Sequence, residues 1–368
     1  MQSTPTETLV FQPSSFTLPA PAPSLANLER PILHVGITLD ALFDFGNAKR
    51  VKKEQGVDAY LAYMRQKIHA PLAPRQGLSF IKDMLSFNAS GEVPLVQVSL
   101  FSYEKAAVYA RAMQSLYHYG VLDRSRAVQE QGLVVKGKKD AFKRHVLNGG
   151  KCDLYLSTKR QEVISLLDAG LPAVHINPKT IDEQSLAPKQ EVVAAFDYDR
   201  VLGIAIAFDS AAGKHVENGH YTQARGVMPA RRWEHRNRNK TIDSGPIAPF
   251  YDKLYIVRAI AAQKDTVPDL SLAVITARVG ISAHRAVNTL QAQQRTPNVF
   301  IGVGDGSKGP QVKKVGASLF IDDVPKYLDQ VQKSSPETLG AQAPWRDSHL
   351  LRLQATGKYH NLHTAKVL

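Results

Sequence analysis

Short apolar runs recur along this chain, separated by longer stretches in which apolar residues return every three or four positions. The runs are Ile32–Ile37, Leu95–Leu100, Asp153–Leu156, Val192–Phe196, Leu272–Ile275, Val299–Val303 and Ser318–Ile321. They are short, rich in β-formers and apolar at successive positions, which predicts parallel strands covered on both faces. Helical spacing over Glu104–Tyr117, Arg160–Ala169 and Ala283–Gln293 places helices after several of them. This alternation predicts an α/β fold with a parallel sheet. Ligands of such sheets sit beyond the carboxyl ends of strands, so the polar residues there are the place to look for chemistry.

The ends of the chain read differently. Residues 1–30 are rich in Pro, Ser and Thr without periodicity and are expected as a disordered tail. From Ser334 the chain mixes Pro, Gly and Gln with polar residues, so 334–368 is expected as a weakly ordered extension. Between them, 31–185 and 186–333 divide the strands into two α/β halves, in keeping with a length of 368 residues.

Composition narrows the function classes. Hydrophobic content of 43% with both charge signs is ordinary for a soluble globular chain. No run of 18 apolar residues occurs, so no membrane span is expected. No charged segment followed by an apolar core opens the chain, so no secretory signal is expected either. The single cysteine, Cys152, excludes an internal disulfide and a Cys-rich metal site, and a reducing cytoplasm is the expected compartment. A net charge of +13 points to an anionic partner, either nucleic acid or a small phosphorylated metabolite. The dense basic cluster is Arg231, Arg232, Arg236, Arg238 and Lys240, around Trp233 and His235. A solvated face explains it as well as a nucleic-acid site does.

Four strand ends in the second half carry the chemistry. Val192–Phe196 runs into Asp197-Tyr198-Asp199, and Leu272–Ile275 into Thr276-Ala277-Arg278. Val299–Val303 leads to a loop ending in Ser307-Lys308-Gly309-Pro310, and Ser318–Ile321 ends in Asp322-Asp323. Acidic pairs at neighbouring strand ends repel unless a cation sits between them, and hard oxygen ligands suit Mg²⁺. A lysine and a threonine hydroxyl can hold phosphate oxygens. One aspartate can attack phosphorus, and a second can protonate the leaving oxygen and then activate water.

The order Asp-x-Asp, Thr, Lys, Asp-Asp, each at a strand end, resembles the haloacid dehalogenase-like phosphatases. Ala-Phe-Asp-x-Asp at 195–199, Val-Ile-Thr-Ala-Arg at 274–278, Lys-Gly-Pro at 308–310 and Phe-Ile-Asp-Asp at 320–323 resemble the cytosolic 5'-nucleotidase I family more closely. So do Glu-Gln-Gly-Val-Asp-Ala-Tyr at 54–60, His-Tyr-Gly at 118–120 and Asp-Leu-Tyr-Leu-Ser at 153–157. The resemblance implies a Rossmann-like core with a small cap at about 205–244, within the 186–333 half. It implies Asp197 as nucleophile and Asp199 as acid/base, with Thr276, Ala277 and Lys308 on the substrate phosphate. Mg²⁺ is expected on Asp197, Asp199 (through its backbone carbonyl), Asp322 and Asp323. Arg225, Arg232 and Trp233, in the cap segment, are candidates for the base and sugar. Tyr198 and Arg200 stand where smaller residues are expected, which bears on substrate preference.

Each motif alone has a plainer reading. Asp-x-Asp after a strand is more often a turn or cap, and Asp322-Asp323 before Val-Pro could simply start a helix. Gly304–Gly309 satisfies Gly-x-Gly-x-x-Gly, the dinucleotide fingerprint, but lies near the end of its half, and the next strand ends in two acids. A lysine-bearing phosphate loop explains the same glycines. The twelve histidines show no metal spacing, and His220 and Tyr221 fit either a base pocket or the surface.

The first half echoes the second. Ile37-Thr38-Leu39-Asp40 aligns on Phe196-Asp197-Tyr198-Asp199, Val96–Ser99 on Ala273–Thr276, and Leu154–Thr158 on Leu319–Asp323. Pro71-Leu72-Ala73-Pro74 echoes Pro246-Ile247-Ala248-Pro249. The first half is then expected to be a degenerate copy, since Thr38 cannot form an acyl phosphate; chance likeness of apolar strands is the alternative. Hydrolysis of nucleoside 5'-monophosphates leads the functional readings. The competitors are a phosphatase for another small metabolite and a non-catalytic nucleotide-binding regulator. A regulatory nucleotide and a homo-oligomer are compatible with the chain; a membrane is not expected, and nucleic acid is disfavoured as a partner.

Overall fold

A computed structural model describes residues 7–10, 29–88, 92–102, 106–136, 150–204, 234–235 and 237–344. The strands in chain order are β1 Glu7–Val10, β2 Leu33–Thr38, β3 Val96–Phe101, β4 Leu133–Lys136, β5 Leu154–Ser157, β6 Ala173–Ile176 and β7 Glu191–Phe196. They continue as β8 Gly203–Ile204, β9 Asp243–Ser244, β10 Asp269–Thr276, β11 Val299–Gly302, β12 Ala317–Asp322 and β13 Leu339–Gln342. Eleven of them form one sheet in the order β1-β11-β10-β7-β12-β13-β6-β5-β2-β3-β4, while β8 and β9 form a separate ribbon. The pairings are parallel except at β1–β11 and β13–β6. The α/β class with a mostly parallel sheet is as expected, and all seven apolar runs are strands.

Four sheet strands did not stand out in the sequence. Leu339–Gln342 is only half apolar, yet it lies parallel to β12 with Asp322 opposite Gln342. The chain expected as an extension from Ser334 therefore supplies a central strand. Glu7–Val10, inside the expected tail, pairs antiparallel with β11. Both corrections have one cause: backbone hydrogen bonds to a waiting edge order a segment whose side chains advertise little. Helices over Gly46–Gln66, Gln76–Leu85, Ala248–Ala261 and Pro325–Ser334 are further additions. The first of these kinks at Gly56, whose φ of 89° suits glycine.

Strand order sorts the sheet into two five-stranded sets. Around β7 the order is β11-β10-β7-β12-β13, and around β2 it is β4-β3-β2-β5-β6. Each set places its first strand in the middle and lays down its neighbours in the same sequence. The sets meet where β13 and β6 run antiparallel, with Gln342 opposite His175. Gln342 lies opposite Asp322, and His175 opposite Ser157. The junction thus pairs residues that hold matching places in the two sets.

Packing locks the second set around its central strand. Phe196, the last residue of β7, is fully buried against Phe250 and Tyr251 of helix Ala248–Ala261, with ring centroids 6.2 and 5.2 Å away. Burying each such ring contributes roughly 1.5–3 kcal/mol, so the strand end carrying Asp197 is firmly seated. Buried Gln76 ties the two sets together. Its amide nitrogen donates to the carbonyls of Pro336 at 2.6 Å and Thr338 at 2.9 Å, and its carbonyl accepts from the Lys179 amide at 3.0 Å.

Candidate active site

Asp197 is the first residue beyond β7, and its amide donates to the Ile321 carbonyl at 2.8 Å. Strand pairing thus continues one residue further and sets where Asp197 points. The chain then doubles back, with the Leu202 and Gly203 amides both donating to the Tyr198 carbonyl. Arg200 adopts a left-handed φ of 60° in this turn, a conformation that costs a non-glycine residue about 1–2 kcal/mol. Gly203 is required: a Cβ there would meet the Tyr198 ring at 2.8 Å.

The flanking strands bring up the other groups. Thr276 closes β10 fully buried, and its hydroxyl accepts from the Arg278 amide at 3.3 Å. Ala277 follows it at the exposed rim. Asp322 closes β12; one carboxylate oxygen accepts from the Val324 amide at 2.8 Å, fixing the turn. Lys308 precedes helix Gly309–Lys314 and reaches inward, fully buried, beneath the Tyr327 ring. Its Nζ lies 2.7 Å from Asp322 Oδ2 and 2.9 Å from Asp197 Oδ1. Residues 111 positions apart in the chain are thereby joined by one ammonium group (308 less 197).

Electrostatics show a site short of positive charge. Asp197, Asp322 and Asp323 each offer a carboxylate oxygen within 4.8 Å of the others. Lys308 and Arg200, whose Nη1 is 3.4 Å from Asp323, are the cations ion-paired to the trio among the described residues. Burial drives the Asp197 pKa well above the ordinary carboxylate value; Lys308 opposes this, while Asp322, Asp323 and Asp199 add to it. Burial and the neighbouring Asp322 push Asp323 up to about 7, against Arg200 and Lys308. Burial pulls the Lys308 pKa down, but Asp197 and Asp322 more than offset it, and the net shift is upward. Asp197 Oδ1 is buried, with the Lys308 ammonium its ion-pair partner among the described residues. A hard-oxygen trio with more carboxylates than paired cations fits a divalent cation such as Mg²⁺.

The remaining expectations divide. The Asp199 carboxylate stands apart from the acidic trio and is held by Arg278 instead, with Nη2–Oδ1 at 2.7 Å and Nε–Oδ2 at 2.8 Å. Arg278 also donates to Glu234 at 3.1 Å, and Glu234 accepts from Arg285 at 3.3 Å. Neither Glu234 nor this use of Arg278 was evident in the sequence; the one signal was an arginine two residues past a strand-end threonine. Arg225, Arg232 and Trp233, with His220, Tyr221, Arg231 and Arg236, lie outside the described residues. Cys152 is not part of the site; burial and Asp153 push its thiol up to about 12.

The matching strand ends of the first set lack this chemistry. Thr38 is buried, and its hydroxyl has no hydrogen bond among the described residues. Thr158 donates to the Asp40 carboxylate at 2.9 Å, and Ser157 donates to Glu162 at 2.7 Å. These groups satisfy one another and present no acidic trio. The register also revises one alignment. Ile37 faces Leu100, and Phe196 faces Val274, so Ser102 rather than Ser99 matches Thr276.

An open, mostly parallel α/β sheet with acids, a lysine and a threonine gathered beyond its central strands is the class that fold and site define. Residues 26–342 match the family profile described as 5'-nucleotidase, and the chain belongs to that family. It is similar to cytosolic 5'-nucleotidase 1B of Homo sapiens, at 21% identity over 309 residues, covering 81% of this chain and 47% of the relative. The chain thus spans about half the length of that curated relative. No solved structure gives a significant match. No helix among the described residues is long and apolar enough to cross a membrane.

Proposed function

We propose that this protein hydrolyses nucleoside 5'-monophosphates to nucleoside and phosphate. One observation carries the reading: the buried Asp197 carboxylate faces Lys308 at 2.9 Å within an acidic trio at the ends of adjacent strands. Family membership and the printed name of the human relative support the nucleotide as substrate.

An Asp197 oxygen attacks phosphorus, and the ester bond to the 5'-oxygen breaks as Asp199 gives that oxygen a proton. Water then attacks phosphorus of the aspartyl-phosphate while Asp199 takes its proton, releasing phosphate and restoring Asp197. Lys308, the Thr276 hydroxyl and the amide of Ala277 hold the non-bridging oxygens as charge shifts onto them. Asp197, Asp322, Asp323 and the Asp199 carbonyl would hold Mg²⁺. When bound, the ion neutralises phosphate charge and orients the group for in-line attack. The first half serves as a non-catalytic counterpart, a reading supported by its matching strand order and by Thr38 at the nucleophile's place.

The test is phosphate release from a panel of nucleotides and sugar phosphates, with and without Mg²⁺, by wild type and Asp197→Asn. Metal-dependent release that is greatest on nucleotides and lost in the variant is expected. Preference for a sugar phosphate would select the metabolite phosphatase instead, and no metal-dependent release from any compound would end the enzymatic reading.

A further inference from the structure

We infer that Arg278 is a positioning residue that aims the Asp199 carboxylate and ties it to the buried Glu234. The inference rests on the function proposed above, because it concerns the proton that Asp199 delivers.

Arg278 grips Asp199 through two of its nitrogens, with Nε at 3.1 and 2.8 Å from the two oxygens and Nη2 at 2.7 Å from the first. Its third nitrogen, Nη1, donates to Glu234 at 3.1 Å and to the Ser282 carbonyl at 3.2 Å. The guanidinium also lies over the Tyr198 ring, 5.2 Å from its centroid. A planar fork held at all three nitrogens and stacked on a ring has one orientation, and so does a carboxylate seated in it. Among the described residues Arg278 is the side chain that holds Asp199, which keeps 36% of its side-chain exposure and so remains open to a substrate on its outer edge. Glu234 is 3% exposed and also meets Arg285, which is tied to the Lys240 carbonyl at 2.9 Å. The two arginines and two carboxylates balance in charge, which makes their burial tolerable.

The connectivity gives the cluster its meaning. Asp199 precedes residues 205–233 and Glu234 follows them, so one side chain clamps the chain on both sides of that segment.

Leaving-group dependence tests this. A nucleoside 5'-oxygen needs a proton to depart, whereas p-nitrophenolate does not; water attack on the aspartyl-phosphate needs Asp199 with either substrate. Arg278→Gln should lower kcat on a nucleoside monophosphate by about 100-fold. On p-nitrophenyl phosphate it should release a full stoichiometric burst of nitrophenol, followed by slow turnover. Arg278→Lys, which keeps the charge but not the fork, should restore at most about a tenth of the loss. Glu234→Gln, the milder variant, should show the same substrate split at about 3- to 10-fold. An equal loss on both substrates with no burst, or full rescue by lysine, would overturn the inference. Failure of wild type to turn over either substrate would instead sink the proposed function.

Discussion

Lys308 Nζ stands 2.7 Å from Asp322 Oδ2, with both side chains essentially sealed from solvent. A buried ammonium is tolerable only where carboxylates surround it, and here Asp197 completes the enclosure at 2.9 Å. Replacing Lys308 by Met removes the cation and leaves two buried carboxylates facing each other. Unfolding by urea should show a loss of about 3 kcal/mol, and activity should fall by at least 100-fold.

Asp197→Asn keeps the shape of the strand end but removes the charge proposed to attack phosphorus. Turnover should fall by about 10⁴-fold or more, while a wild-type-like far-ultraviolet spectrum shows that the fold is retained. Thr38→Val, at the matching strand end, deletes a buried hydroxyl without a partner among the described residues. Activity should stay within about twofold, and stability should hold or rise by up to about 1 kcal/mol. Comparable losses from both substitutions would contradict the division of labour between the halves.

Metal and pH should act together on stability. Asp323 is raised to about 7 and Asp197 is raised as well, so both bind protons in the folded state that the unfolded chain has already released. The unfolded state therefore holds fewer protons, and stability of the metal-free protein falls as pH rises from about 4 towards 7. A cation favours the deprotonated carboxylates, so Mg²⁺ should raise the melting temperature more at pH 8 than at pH 5.5. At about 100 times its dissociation constant it should contribute ~2.7 kcal/mol. A melting temperature indifferent to Mg²⁺ at pH 8 would count against the trio as its site.

Gln76→Leu offers a test of the link between the two strand sets. It strips partners from the Pro336 and Thr338 carbonyls and from the Lys179 amide. The Thr338 carbonyl is buried and the other two groups only partly so, and a loss of about 1–3 kcal/mol is expected in denaturant titration.

Cys152 should resist alkylation at pH 8, because a thiol raised to about 12 holds almost no thiolate there. Reaction with Ellman's reagent should begin only with unfolding. Rapid labelling of the native protein would place the sulfur in a more open setting.

The seven apolar runs were legible because parallel strands buried on both faces must be apolar at nearly every position. The same logic exposed Asp197, Thr276 and Asp322, since a polar residue that closes an apolar run announces itself; Lys308 stood out instead in the glycine-bearing loop after its run. Leu339–Gln342 and Glu7–Val10 were not legible, for their place is set by the backbone groups of β12 and β11 rather than by side-chain pattern. The repeat was visible as paired strand-end wording, but register was needed to match Ser102 with Thr276. The clamp of Arg278 on Asp199 and Glu234 depends on distance in space between residues 79 and 44 positions apart, which no local pattern encodes. The sequence by itself determined which residues close the strands; the order of strands in the sheet decided which of them meet, because charges act through space and not along the chain.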